Sequence, residues 1–218
     1  MPALKISALR LSDIAPAVIQ SEIRAMSVEC DRVGGINLAQ GICDTELPLP
    51  VANGAIDAIH AGHNIYTRLD GIATLRQSIS EKLQQYNGIS ADPDTQVLVT
   101  NGATGALYAS LLALLNPGDE VIVFEPFYGY HVSTLISLRI QPVIVPLTQP
   151  NWQLDLDALR NAITPRTRAI IVNTPSNPSG KIFTQAECQA VADIALQQDL
   201  FVFTDEAILT KSLGHMPS

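Results

Sequence analysis

Four segments of the 218-residue chain place residues that could do chemistry directly after short apolar runs. They are NGAT (101–104), EPFYGY (125–130), NTPSNPSGK (173–181) and DE (205–206). In that order they supply a glycine turn, aromatic rings, an amide in a proline-rich turn, and a carboxylate. Open α/β sheets bind ligands in the crevice outside the carboxyl ends of their strands, so the four segments predict a binding site there.

The glycine turn has three interpretations when it is taken alone. It follows the apolar run Val97–Thr100 and opens a stretch of small residues suited to a helix. A dinucleotide site would use Glu125, at the end of the next strand, for a ribose hydroxyl, although Tyr108 would disturb the close helix packing. A single phosphate could instead be held by N–H groups at the helix N-terminus and the Thr104 hydroxyl. The third interpretation is a structural turn without a ligand.

The other three segments also have structural alternatives. The aromatic residues of EPFYGY could be ordinary core residues, and Asp205 could be only a helix cap. Two prolines and a glycine make NTPSNPSGK a rigid, non-helical turn that fixes Asn177. The bond between Asn177 and Pro178 is a candidate cis peptide.

Alternating strands and helices position these segments. Five runs rich in Val, Ile and Phe predict buried parallel strands: Val97–Thr100, Val121–Phe124, Pro142–Val145, Ala169–Asn173 and Leu200–Thr204. The predicted helices are Ala17–Glu29, Val51–Ala61, Gly71–Tyr86, Ala106–Leu115, Gly129–Leu138, Leu156–Ala162 and Gln185–Gln198. Thr184 is the expected N-cap of the last helix, with Glu187 completing a capping box. This order indicates the α/β class with right-handed crossovers.

Composition excludes several classes of function. The chain is 47% hydrophobic and 16% charged, which allows a large core, and its net charge of −8 disfavours nucleic acids and anionic membranes as partners. Cys30, Cys43 and Cys188 lack metal-ligand spacing, so no metal site or disulfide framework is predicted. Neither a signal peptide nor a membrane-spanning run of about 18 apolar residues is apparent. These features predict a soluble, cytoplasmic protein.

Six motifs, in order, resemble the class I/II aminotransferases of pyridoxal-phosphate (PLP) fold type I. They are INLAQG, YTRLDG, NGATGAL with NPGDEV, EPFYGY, NTPSNPSGK and TDE, and the similarity is greatest to the branch of kynurenine and glutamine aminotransferases. The resemblance runs from about Leu11 to Glu206. It implies a three-layer α/β/α large domain with five of the family's seven strands. Residues 1–50 would form an N-terminal arm and part of a small domain, and residues 51–218 an incomplete PLP-binding large domain.

The resemblance also implies roles for single residues in binding pyridoxal 5'-phosphate. Gly102, Ala103 and Thr104 match the phosphate-binding turn, and Tyr128, in preference to Phe127, matches the aromatic side chain that stacks on the pyridine ring. Asn177 matches the donor to the cofactor's phenolic oxygen, close to the substrate, with a cis bond to Pro178. Asp205 matches the carboxylate that pairs with the pyridine nitrogen, since an opposite charge keeps that nitrogen protonated.

Two further matches concern the substrate and a second subunit. Gly41 matches a backbone contact to the substrate carboxylate. Tyr66 matches a tyrosine that reaches the phosphate of the neighbouring subunit, which implies a homodimer. The implied reaction is amino-group transfer between an L-amino acid and a 2-oxo acid.

No catalytic residue is assigned, because the family's Schiff-base lysine has no match. In the resemblance it lies roughly thirty residues beyond the aspartate, whereas Lys211 lies only six residues beyond Asp205. Ile208 stands where the family has a tyrosine. We therefore expect an incomplete chain with little or no activity of its own. A PLP-dependent carbon–sulfur lyase and a non-catalytic, dimerising remnant of the family remain alternatives.

Overall fold

The computed structural model describes residues 10–18, 22–38, 41 and 45–207. The chain divides into two compact units, one of residues 22–101 and the other of residues 1–21 with 102–218. We call them the helical unit and the sheet unit. The domain boundary near residue 50 that the sequence suggests remains a prediction.

The helical unit contains three α-helices: α1 (Glu22–Arg32), α2 (Leu49–His60) and α3 (Ala73–Lys82). A π-helical turn, Leu83–Asn87, follows α3 and ends at Gly88, whose φ of 66° lies in the left-handed region. The predicted helix over 71–86 is therefore a shorter α-helix with a wider last turn. Arg76 on α3 is the single buried residue among the described residues of this unit.

The strand predicted at Val97–Thr100 is wrong. Within the described residues, this run joins no strand ladder, and the Val99 amide donates to the carbonyl oxygen of Asp70 at 3.1 Å. Leu98 is exposed. A run of β-branched residues becomes a strand only where a neighbouring strand pairs with it, because a single extended segment leaves its backbone groups without ladder partners.

The sheet unit contains the other four predicted strands, each confirmed in position with small shifts of its ends. They are β1 (Glu120–Glu125), β2 (Gln141–Pro146), β3 (Thr167–Asn173) and β4 (Phe201–Asp205). The predicted burial holds for the first and third of them, whereas the second and fourth, at the two sides of the sheet, are mostly exposed or half-buried. All pairings are parallel and the strand order is β2-β1-β3-β4. The helices between and around them are α4 (Gly102–Leu114), α5 (Gly129–Ser137), α6 (Leu156–Asn161) and α7 (Gln185–Gln198). The predicted capping box of Thr184 and Glu187 at the start of α7 is confirmed.

Helices cover both faces of this sheet. Ile122 and Ile170 point to a cluster that includes Leu159 of α6 and Val191 of α7. Their chain neighbours Val121 and Ile171 point to the opposite cluster, with Leu111 of α4 and Leu135 of α5. Successive strand residues alternate between faces, so continuous apolar runs fill both clusters. The result is the predicted three-layer α/β/α arrangement, which fixes the carboxyl ends of the strands along one edge.

Candidate functional site

Asp205, the last residue of β4, lies beside a buried histidine. The His131 Nε2 atom lies 2.8 Å from Oδ2 of Asp205, and the Ala207 amide donates to Oδ1 at 3.1 Å. The hydrogen bond from His131 has the largest effect on the pKa of the Asp205 carboxyl, and it lowers that pKa. Burial acts in the opposite direction, but the Ala207 amide adds to the lowering, so the net pKa is below its ordinary value. Asp205 is therefore a fixed negative charge at neutral pH.

Tyr128, at the N-terminus of α5, packs against this histidine. The ring centroids of Tyr128 and His131 are 5.4 Å apart with an interplanar angle of 82°, an edge-to-face contact. Burial, followed by the charges of Tyr130 and Asp205, raises the pKa of Tyr128, so its phenol stays protonated. Phe127 packs instead against the cluster beneath α4 and α5. The two adjacent rings thus have different positions, one in the core and one at the edge of the sheet.

The proline-rich loop after β3 is hydrogen-bonded to the end of β4. The Asn173 side-chain amide and the Thr174 backbone amide both donate to the carbonyl oxygen of Asp205, each at 3.0 Å. The backbone amide of Asn177 in turn donates to Oδ1 of Asn173 at 2.8 Å. The Asn177–Pro178 bond is cis, as predicted. Asn177 and Asp205 are therefore positioned together, through Asn173.

A buried ion pair holds the far end of this loop. Lys181 Nζ lies 2.8 and 3.0 Å from the two carboxylate oxygens of Glu187, and both side chains are largely buried. The same carboxylate accepts hydrogen bonds from the amides of Thr184 and Leu154. Burial alone would raise the pKa of Glu187, but the hydrogen bonds from Lys181 and these amides outweigh it and lower the pKa to about 2.

The glycine turn begins helix α4. Gly102 has a φ of 76°, and a Cβ atom built there would have nothing within 4 Å. The backbone therefore favours glycine, although the space beside it is open. Ala103 and Thr104 lie in the first turn, where helical N–H groups have no partner within the helix.

The start of α4 also lies at the carboxyl edge of the sheet. The C-terminus of the helix connects through a short turn to the start of β1. Helix and strand are each about 20 Å long, at 1.5 and 3.3 Å per residue. Leu111 of α4 belongs to the cluster on one face of the sheet, so α4 runs back along the sheet before the turn into β1. We infer that its first turn is level with the end of β1.

The remaining candidate residues lie elsewhere. Gly41 and Tyr66 belong to the helical unit, where both are exposed. Lys211 and Ile208 lie outside the described residues.

Two residues of this site were missed in the sequence, His131 and Asn173. His131 occupies the buried face of α5 with Thr134 and Leu135, at spacings of three and four residues. A polar ring on a buried helical face requires a hydrogen-bond partner. This requirement could have indicated from the sequence that His131 contacts another polar residue. Asn173 ends β3 and looks like an ordinary turn residue in the sequence.

The site combines an ionised carboxylate, an aromatic ring, an amide-bearing loop and a helix N-terminus along one edge of a parallel sheet. This set of groups suits a flat, cationic heteroaromatic ligand that carries a phosphate. The class defined by the fold is a three-layer α/β protein with these groups at the carboxyl ends of its parallel strands.

The family follows from comparison with known proteins. The profile of the family described as "Aminotransferase class I and II" matches residues 33–209. The chain belongs to this family, whose members depend on pyridoxal phosphate.

Several relatives are similar over most of this chain. The probable N-succinyldiaminopimelate aminotransferase DapC of Mycobacterium tuberculosis is 43% identical over 183 residues, which are 83% of this chain and 46% of that protein. The arginine–pyruvate transaminase AruH of Pseudomonas aeruginosa is 38% identical, over 78% of this chain and 43% of its own length. The chain thus spans about half the length of the curated relatives that it matches.

Solved structures agree with the fold. The structure of N-succinyldiaminopimelate aminotransferase from Mycobacterium tuberculosis superposes with a TM-score of 0.86 and 39% identity, covering 90% of this chain and 52% of that one. Aspartate aminotransferase from Thermus thermophilus with maleate gives a TM-score of 0.84 at 31% identity, over 90% and 53% of the two chains. These relatives differ in the amino acids in their names, so the branch suggested by the motifs remains a prediction. Among the described helices, none is long and apolar enough to cross a membrane.

Proposed function

We propose that this chain supplies the cofactor-holding part of a PLP-dependent aminotransferase. The reaction is transfer of an amino group between an L-amino acid and a 2-oxo acid. The observation that carries the proposal is the Asp205–His131 pair, in which an ionised carboxylate ends strand β4. When bound, pyridoxal phosphate delocalises the negative charge that develops at the α-carbon of the amino acid.

Asp205 is the residue that pairs with the protonated pyridine nitrogen in this proposal. Its lowered pKa supports the role, because only the ionised carboxylate stabilises a pyridinium. His131 is a positioning residue. Its Nε2–H donates to Oδ2 and holds the carboxylate in one orientation.

Three further groups would hold the cofactor in place. Tyr128 stacks on the ring, and its contact with His131 limits its movement. The side-chain amide of Asn177 donates to the phenolic oxygen, supported by the hydrogen-bonded loop that fixes its backbone. Gly102, Ala103 and Thr104 bind the phosphate at the N-terminus of α4, where backbone N–H groups and the helix dipole favour an anion.

The substrate and subunit contacts belong to the same proposal. Gly41 contacts the substrate carboxylate, and Tyr66 reaches the phosphate site of a second subunit in a cytoplasmic homodimer. The exposure of Tyr66 and its neighbour Leu69 supports this, since both side chains are fully accessible on the helical unit. Large apolar groups left exposed in this way are typical of interaction surfaces.

Binding of a cofactor analogue tests the proposal directly. We choose 4'-deoxypyridoxine 5'-phosphate, because without an aldehyde it cannot react with surface lysines, and calorimetry gives its dissociation constant. Loss of the charge in Asp205→Ala should weaken binding about 30-fold, or roughly 2 kcal/mol, as expected for one partner of a partly buried charge pair. Asp193→Asn, an exposed change on α7, should leave binding unchanged.

Two comparisons locate the binding groups further. Removing the phosphate from the analogue should also weaken binding strongly if the first turn of α4 holds it. His131→Phe should raise the pKa of Asp205. When the pH is lowered, the variant should therefore lose binding of the analogue at a higher pH than the unaltered chain does. Binding that is insensitive to Asp205→Ala, or binding of NAD in place of the analogue, would refute the proposal.

A further inference from the structure

An open cleft of about 480 Å³ lies beside the ends of β1 and β2. Its walls include Glu125, Pro126 and Phe127 after β1, and Pro146, Gln149 and Trp152 after β2. Asp205 belongs to β4, which is separated from β1 by β3. At about 4.8 Å between strands, the centre of the cleft lies more than two strand spacings from β4. The cleft is therefore separate from the Asp205–His131 pair.

Backbone hydrogen bonds keep the walls of this cleft in place. The Leu147 amide donates to the carbonyl oxygen of Glu125 at 2.9 Å and joins the two walls. Thr148 and Gln153 exchange two hydrogen bonds of 2.9 Å in an isolated antiparallel bridge that closes the loop carrying Trp152. The indole ring packs against the core cluster beneath α6 and α7. The cleft is thus preformed, and its volume lies in the range of small-molecule sites.

Its polar groups are mostly hydrogen-bond acceptors. Pro126 and Pro146 line the cleft and have carbonyl groups but no N–H. The Glu125 carboxylate forms no ion pair or hydrogen bond with any residue that the structure describes. Gln149 can donate or accept, and the Trp152 indole adds one donor. A cleft with this composition favours a cationic donor and disfavours an anion.

The aromatic walls narrow the choice of cation. Phe127 and Trp152 both line the cleft while also packing against the core. Aromatic rings attract cations, and guanidinium stacks on them more readily than ammonium does. A guanidinium group also matches a carboxylate with two parallel hydrogen bonds. We propose that this cleft binds a small molecule carrying a guanidinium group, with the charge on Glu125 and an aliphatic body against Phe127 and Trp152.

The chain contains a single tryptophan, so its intrinsic fluorescence reports on this cleft. The probe is n-butylguanidinium, and titration should change the Trp152 fluorescence saturably with a dissociation constant of about 1 mM. n-Butylammonium should bind several-fold more weakly, and butyrate should give no saturable change. Added sodium chloride should weaken binding of n-butylguanidinium, because a charged contact at an open cleft is screened.

Substitutions test the role of the carboxylate. Glu125→Gln keeps the shape of the side chain but removes its charge. It should weaken binding about tenfold, because one charge-assisted interaction is lost. Glu81→Gln removes an exposed carboxylate from α3 and should have no effect. Asp205→Ala should also leave this titration unchanged, which separates it from the cofactor proposal. The absence of a saturable change, equal binding of butyrate, or full affinity in Glu125→Gln would overturn the inference.

Discussion

The two units differ in what lies at their centres. In the sheet unit, two clusters of buried apolar side chains line the faces of four paired strands. In the helical unit, the single buried residue of the described part is an arginine, and apolar side chains such as Ile36, Leu38 and Leu69 are about 90% exposed or more. Helices cover the faces of β1 and β3, whereas Phe201 and Val202 of the outer strand β4 are 41% and 40% exposed. The sheet unit therefore covers the apolar faces of its central strands by itself.

The helical unit is organised by hydrogen bonds to Arg76 instead. Its guanidinium donates to the carbonyl oxygen of Gly71 at 3.2 Å, to the carbonyl oxygen of Pro93, and to Asp94 at 3.1 Å, with Asp70 at 3.5 Å. One side chain thereby connects the start of α3 to the loop that follows its C-terminus. Polar contacts of this kind fix a loop but remove little apolar surface from water.

The largest loss of stability should follow from a substitution in the core of the sheet unit. Ile170 is fully buried in β3, and Ile170→Ala should lower the free energy of unfolding by about 3–4 kcal/mol, since it removes apolar contacts and leaves a cavity. Ile36→Ala, at an exposed position of the helical unit, should change it by less than about 0.5 kcal/mol. Urea unfolding followed by Trp152 fluorescence measures both. Equal effects would mean that the two units do not differ as described.

The second largest loss of stability should follow from a substitution of Arg76, and it should be confined to the helical unit. Arg76→Met removes the shared donor and leaves buried carbonyl groups unsatisfied, at a cost of about 2 kcal/mol. Hydrogen exchange should quicken in α3 and stay unchanged in α7. Arg32→Met, which breaks only an exposed pair with Glu29, should have little effect. Uniform faster exchange in both units would contradict the local role assigned to Arg76.

The smallest effect should come from the buried ion pair of the sheet unit, and it should depend on pH. Glu187→Gln weakens the contacts with Lys181 and the N-terminus of α7, which should cost about 1.5 kcal/mol near neutral pH. The folded-state pKa of about 2 lies below the ordinary value of 4.5, so the ionised form stabilises the fold above pH 4.5. That contribution is lost as the pH falls towards 2. The difference between wild type and Glu187→Gln should shrink over this interval.

Urea unfolding at several pH values gives this difference. Gln189→Ala, on the exposed side of α7, serves as a control without a charge change. A difference that stays constant down to pH 2 would show that the Glu187 carboxylate is not held ionised by its neighbours.

The strands and helices of the sheet unit could be predicted from the sequence because the patterns that mark them lie within short segments. Continuous Val, Ile and Phe runs mark parallel strands, of which β1 and β3 are buried as predicted, and Thr184 with Glu187 marks the start of α7 from side-chain chemistry alone. The order of six motifs identified the family, which the comparisons confirm. The positions of Asp205, Tyr128 and Asn177 at strand ends were also readable, because strand ends in such sheets lie along one edge.

Only the tertiary structure decided which apolar runs pair and which polar groups meet. Val97–Thr100 has the composition of a strand, yet no ladder forms among the described residues, because pairing depends on neighbours and not on composition. His131 and Asn173 bond to Asp205 across 74 and 32 residues of sequence, a distance at which no local pattern operates. The sequence determined most of the elements and the family chemistry, whereas the fold determined that His131 donates to the Asp205 carboxylate and lowers its pKa.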